Sequence, residues 1–316
     1  RGDVSWLQIA GFGNVVGGKV YGVQAAGFAN VNGEDTEAVQ LAGFVNTNMG
    51  DTRGVQVAGF ANTNLGKMNG VQVAGFSNVT GKPSNGVQVA GFGNVQIGDY
   101  SGSQFAGLTN IATEKITGSQ ISTLFNYGRK VHGTQIGLVN YADTLGGVPI
   151  GLLSIVKSGY HKIELSADEV FYTNLAFRSG VRKFHTMLMA GFKPQQSLDP
   201  ADTSVWTFGY GLGITPKLNR WWYLDLDISS QHVNKGSFTD ALSLLNMVYV
   251  GFDFQVAKKF SIATGVTFNG YLTSNSYTEY PTLFTDYHPK IVAERNFSND
   301  TNLKMWWGAK VALRFL

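Results

Sequence analysis

The sequence predicts an all-β chain, a transmembrane antiparallel β-barrel of about 18 strands (roughly 16–20). Three observations predict it. Only 14% of the 316 residues are charged, against about 25% in a soluble domain. A strict repeat of strand-length segments fills the first half. The second half alternates apolar and polar residues between loops of alternating length. No apolar run reaches the roughly 18 residues of a helical span, so dispersed apolar residues point to strands with one greasy and one wet face.

The repeat is set by glutamine at Gln8, Gln24, Gln40, Gln56, Gln72, Gln88, Gln104 and Gln120, followed by Gln135. Asparagine follows six residues later, at Asn14, Asn30, Asn46, Asn62, Asn78, Asn94, Asn110 and Asn126. Between them lies Ala-Gly-Phe or a relative of it, as at Phe28, Phe44, Phe60, Phe76 and Phe92. Charges fall between the repeats, at Lys19, Asp35, Asp51, Lys67, Lys82 and Asp99, among turn-forming Gly, Asn and Pro. Each unit is therefore an uncharged strand and a turn, and a tilted membrane strand needs about 9–11 residues. In a barrel each repeat is one strand, with Gln24, Gln40, Gln56, Gln72, Gln88, Asn30, Asn46, Asn62, Asn78 and Asn94 lining the lumen. Phe60 shares that face, with Val55 and Val57 toward lipid.

A second architecture satisfies the same pattern: a repeat β-solenoid followed by a barrel of about eight strands. Parallel stacking would give each repeat one environment, whereas an up-and-down barrel favours a doubled period. Favouring the barrel is an apparent hairpin, Ile150 to Val156 and His161 to Ala167 about Lys157-Ser158-Gly159. Residues 1–157 form the repeat region and 158–316 the C-terminal barrel strands, read together as one continuous barrel.

Candidate strands in the second half are 161–168, 170–179, 184–193, 204–214, 220–232, 246–256, 259–272 and 303–316. Asp225 and Asp227 share one face, Leu224, Leu226 and Ile228 the other. Connections at 180–183, 215–219 and 257–258 are short, and those at 194–203, 233–245 and 273–302 are long. This matches tight periplasmic turns and extended outer loops. Aromatic clusters at Trp221, Trp222, Tyr223, Trp306 and Trp307 suit interfacial girdles. The longest loop carries Tyr277, Tyr280, Phe284 and Tyr287, a candidate lumen-closing or docking surface.

The motif Gly22-Val-Gln-Ala-Ala-Gly-Phe-Ala-Asn30, its copies and Thr134-Gln-Ile-Gly-Leu-Val-Asn140 resemble a family of Gram-negative surface-repeat proteins. The resemblance covers roughly residues 6–157 and implies an outer-membrane address and a barrel fold, without carrying a biochemical activity over. This chain carries an extra alanine before the glycine, as at Ala58, which inverts facing in a regular strand.

Catalytic chemistry finds little footing. There is no cysteine. His132, His161, His185, His232 and His288 stand singly, without ligand spacing. Neither a phosphate loop nor a nucleophile motif occurs, so no enzyme, metal or cofactor is expected. A net charge of +3 without basic tracts speaks against nucleic acid. No leader segment opens the chain, as in a mature protein, and the Arg1-Gly2-Asp3 end reads as frayed. The sequence thus anticipates a porin-like passive channel of the outer membrane, both termini periplasmic, with lipid or lipopolysaccharide and other outer-membrane proteins as partners. The rival functions are a docking subunit of a larger complex and a surface adhesin whose repeat solenoid rides on a small barrel anchor.

Overall fold

The computed structural model describes residues 2–194, 204–274, 283, 288–297 and 300–316. The chain forms two units, Arg1–Gly159 and Tyr160–Leu316. The first is a parallel β-solenoid and the second a closed antiparallel barrel of eight strands. The 18-strand barrel is thereby corrected: the repeats stack as coils. The proposed hairpin about Lys157 is corrected as well. Leu153–Val156 pairs in parallel with Val139–Leu145, whereas Tyr160–Asp168 pairs antiparallel with Thr173–Val181 and Thr301–Phe315.

Each of the first six coils has a seven-residue strand and a four-residue strand. Thr52–Ala58 bends at Gly59 and Phe60 into Ala61–Asn64, then bends again at residues 65–67 into Met68–Ala74. Twenty strands, two to a coil, make ten coils. Neighbouring coils lie in register, Gln56 beside Gln72 and Asn62 beside Asn78. The bend at Gly59-Phe60 follows the extra alanine. Ala58 points inward, Phe60 is thrown outward, and alternation restarts with Asn62 inside. Glycine fills most of one column within the long strand, with Ala38 and Trp6 as its exceptions. Gly70, Gly86 and Gly102 have φ of 143°, 127° and 145°, and a Cβ there would lie 1.8–1.9 Å from the carbonyl oxygen of the coil before.

The barrel comprises Tyr160–Asp168, Thr173–Val181, Phe184–Lys193, Val205–Ile214, Trp222–Lys235, Ser243–Ala257, Phe260–Ser274 and Thr301–Phe315. Their order matches the eight segments that alternation marks, and residues 161–180 are two strands. Outward positions are apolar, including Leu165, Leu175, Leu188, Val250, Phe252 and Leu313, all exposed. Inward positions carry the polar and charged side chains. The strands thus alternate with a two-residue period, apolar side chains outside and polar ones inside. Trp221, Trp222 and Trp307 face outward, while Tyr223 and Trp306 point into the barrel.

The last strand, Thr301–Phe315, has one complication at its second edge. Residues Ile163 to Asp168 cover its lower part, Phe315 to Lys310, and the short strand Ile291–Phe297 covers its upper part, Trp306 to Thr301. Between them the Glu169 carboxylate accepts hydrogen bonds from the Ala309 amide, Trp306 Nε1 and Asn269 Nδ2 at 3.0, 3.0 and 2.6 Å. A side chain thus completes the backbone ladder between the two covering strands. Gly308 makes the room, since a Cβ there would lie 1.9 Å from Glu169 Oε1. Gly308→Ala should expel the carboxylate and lower barrel stability by about 1–3 kcal/mol, the cost of orphaned buried donors. Urea unfolding in lipid vesicles should show Gly308→Ala combined with Glu169→Ala to be no worse than the more severe single change. Additive losses would refute the coupling.

Candidate functional site: barrel interior and solenoid ladders

Eight strands enclose an interior just wide enough for side chains to fill, and here it is filled in two layers. Toward the loop end lies an apolar plug, in which Val170 and Phe171 from the 169–172 turn pack with Leu245, Tyr271, Leu283 and Trp306. Asp168 holds that turn, its carboxylate accepting from the amides of Val170 and Phe171 at 2.8 and 2.7 Å. Lys193 donates to the Leu283 carbonyl oxygen at 3.0 Å.

Toward the other end lies a buried ionic network. Arg178 donates to Glu164 Oε2 at 2.6 Å and, through both terminal nitrogens, to Asp227 at 3.0 and 2.5 Å. Arg314 donates to Glu164 at 2.7 Å and Asp225 at 2.5 Å, with Asp253 at 3.4 Å. Lys310 pairs with Glu164 at 2.6 Å. Glycine makes space for these groups: a Cβ at Gly213 would lie 2.1 Å from Asp227 Oδ1.

His185, Asp225 and Asp227 bring their ligand atoms within 4.8 Å of one another, the geometry of a metal cluster. Arg178 supplies the positive charge there, its Nη1 2.9 Å from His185 Nε2. A guanidinium nitrogen can only donate, so His185 Nε2 is the acceptor and its proton resides on Nδ1. The arrangement is an ion-pair lattice rather than a cradle for a cation. Single basic residues in separate strands, Arg178 and Arg314, gave no local motif in the sequence. The recurrence of a charge at an inward position was the one available signal.

The glutamines and asparagines assigned to a lumen by sequence lie instead inside the solenoid coils. Gln24, Gln40, Gln56, Gln72, Gln88, Asn30, Asn46, Asn62, Asn78 and Asn94 are all buried. They form two ladders of opposite polarity. Each glutamine donates back to the coil before, as Gln56 to Gln40 at 2.8 Å and Gln72 to Gln56 at 3.0 Å. Each asparagine donates forward, as Asn46 to Asn62 and Asn62 to Asn78, both at 2.9 Å. Asn48 and Asn64 cross the coil to Gln40 and Gln56 at 2.7 Å each. Polar groups so buried are tolerated because each finds a partner.

Outside, the six rings of Phe12, Phe28, Phe44, Phe60, Phe76 and Phe92 stack with centroids 4.7–5.1 Å apart. Their edges make an exposed apolar stripe, continued by Leu108, Leu124 and Leu138. Tyr277, Tyr280, Phe284 and Tyr287, the loop residues singled out by sequence, lie outside the described residues. Compared with family models, curated proteins and solved structures, the chain matches none of them.

Proposed function

We propose that this protein is a non-enzymatic, membrane-anchored solenoid, its eight-strand barrel seated in the bacterial outer membrane as an anchor rather than a pore. One observation carries this reading: the barrel is apolar outside and filled inside. The apolar outer band suits lipid or lipopolysaccharide contact. The two-layer plug leaves the passive-channel reading without a conduit.

The barrel ends differ, and the difference suggests which side the solenoid occupies. The connections at one end, 182–183, 215–221 and 258–259, run to seven residues at most, while the opposite end carries the long ones, 194–204 and 275–300. The first barrel strand starts at the short-turn end, three residues after Leu153–Val156. Short turns belong to the periplasm, which makes the solenoid a periplasmic scaffold and places the C-terminal strand end there too. Its partners would then be other envelope proteins rather than a host surface.

Single cysteines test this in a chain that has none of its own. Lys19, Asp35, Asp51, Lys67, Lys82 and Asp99 occupy the same bend of successive coils. An impermeant maleimide should leave all six unlabelled in intact cells and label all six after permeabilisation. Ser237→Cys at the loop end should react in intact cells. Uniform labelling of the six in intact cells would overturn the periplasmic assignment in favour of surface adhesion. Alternating labelling would overturn the solenoid.

A further inference from the structure

The apolar outer wall of the barrel is interrupted by a groove of about 900 Å³, within the size range of small-molecule sites. Its floor is one row of outward positions in register across neighbouring strands. Ser230, Asn246 and Gly270 lie side by side there, between the larger Tyr210 and Met305. The outward rows on either side are large and apolar. Ile228, Val248 and Phe268 make one rim, and Leu272 and Leu303 the other. The groove is therefore one side chain deep.

Gly270 has no structural reason to be glycine. At every other glycine within the eight strands, a Cβ would lie 1.9–2.8 Å from a neighbouring atom. At Gly270 the nearest atom is Leu303 Cδ1 at 3.5 Å, an ordinary contact, and φ lies outside the left-handed region. What this glycine provides is a clear floor.

Ser230 and Asn246 are equally out of place on an apolar wall. Asn246 Nδ2 donates to the Gly270 carbonyl oxygen at 3.3 Å. Among the described residues, no other partner meets the Asn246 amide and none meets the Ser230 hydroxyl. Polar groups in apolar surroundings are costly until something satisfies them. A hydroxyl does so at one point, because it accepts and donates together: it can accept from Ser230 Oγ and donate to Asn246 Oδ1.

Depth and shape select the molecule that carries this hydroxyl. An α-helix, about 10 Å across with its side chains, is too thick for so shallow a groove. A second copy of the barrel would bring an identical hollow and no ridge to fill it. A single acyl chain fits. Toward the loop end, the next outward row pairs Phe208 with His232, and these rings pack with Trp206 and Phe238. Such an aromatic cluster suits the membrane–water interface. The polar row lies two residues deeper, about 7 Å along the strand, at the level of the first few carbons of an acyl chain.

Taking the barrel as embedded in lipid, we propose that this groove is a binding site for a membrane lipid whose acyl chain bears a hydroxyl near its carboxyl end. Ser230 and Asn246 hold the hydroxyl, Gly270 leaves room for the chain, and Val248, Phe268 and Leu303 flank it.

Native mass spectrometry of the full-length protein tests the site. The protein is released from dimyristoylphosphatidylcholine nanodiscs loaded with equal amounts of tetradecanoic acid and 3-hydroxytetradecanoic acid. The wild type should retain the hydroxy acid roughly fivefold over the plain acid, as one net hydrogen bond allows. Ser230→Ala with Asn246→Leu should bring the ratio to one. Gly270→Leu, whose Cβ meets no close atom, should keep the wild-type circular dichroism and lose both acids. Equal retention of the two acids by the wild type would overturn the proposal, as would retention of neither. A preference that survives the double substitution, or binding that survives Gly270→Leu, would overturn it too. Flotation of the wild type with dimyristoylphosphatidylcholine vesicles checks the embedding separately. A protein that floats but shows no preference refutes the groove alone, and one that does not float refutes the anchor and the groove with it.

Discussion

Gln56→Leu should destabilise the solenoid by about 2–6 kcal/mol, far more than a methylene-scale change in a polar residue suggests. Gln56 Oε1 accepts from both Asn64 Nδ2 and Gln72 Nε2, at 2.7 and 3.0 Å. Leucine leaves those two buried donors with no other partner, at about 1–3 kcal/mol each. Gln40 Oε1 loses one donor but keeps Asn48 at 2.7 Å, which bounds the loss. The same substitution at Gln8 should cost no more than about 1 kcal/mol, because Gln24 Nε2 also donates to Asn32 at 3.1 Å. Position within one repeated motif, and not residue type, sets the cost. Urea unfolding of the two variants, followed by far-ultraviolet circular dichroism, measures the difference. Equal losses at Gln8 and Gln56 would show that the ladder contributes nothing beyond side-chain packing.

That contrast also explains what was legible in the sequence. The eight barrel strands were, because Asp225 and Asp227 on one face and Leu224, Leu226 and Ile228 on the other can alternate only in an extended strand. The solenoid was legible as an alternative but not as a decision. Gln56, Ala58 and Asn62 face inward in a coil just as they would face a lumen in a barrel, so facing cannot separate the two folds. The register of the next repeat does, and register is a non-local property. Two local signals bore on it. The missing 32-residue alternation was one. The other was glycine at Gly54, Gly70, Gly86, Gly102 and Gly118, always two residues before glutamine. Glycine weakens a strand interior unless another backbone approaches closely, and a column of it at one phase of the repeat marks coil-on-coil contact. The extra alanine was equally informative in retrospect: Ala58 is where the strand ends, so nothing after it had to keep phase. The ionic network inside the barrel was out of reach, since Glu164, Arg178, Asp225 and Arg314 meet only through barrel closure.

Arg314→Leu should produce the largest loss in the barrel, about 3–5 kcal/mol, the expected cost of removing one member of a buried ionic group. Arg314 serves Glu164 and Asp225 directly and is the cation beside Asp253. Without it, four carboxylates, Glu164, Asp225, Asp227 and Asp253, are left with Arg178, Lys310 and, at longer range, Lys162. The penalty belongs to the uncompensated charge and not to the lost bonds, so a second substitution can relieve it. Arg314→Leu with Asp225→Leu leaves Glu164 with Arg178 and Lys310, Asp227 with Arg178, and Asp253 with the longer-range charge of Lys162. The double variant should therefore recover much of the loss, because a hydrophobic replacement of a buried pair is often close to neutral. Unfolding in lipid vesicles gives the double-mutant cycle, and a double variant less stable than Arg314→Leu would refute charge balance as the cause. Single-channel recording on the same proteins addresses the plug. The wild type should show no steady conductance, because the apolar layer at Phe171 and Trp306 closes the lumen independently of the ions. Arg314→Leu with Asp225→Leu should stay silent for the same reason. Steady conductance in the wild type would mean that the packed interior opens in the bilayer, and the barrel would then be a channel as well as an anchor.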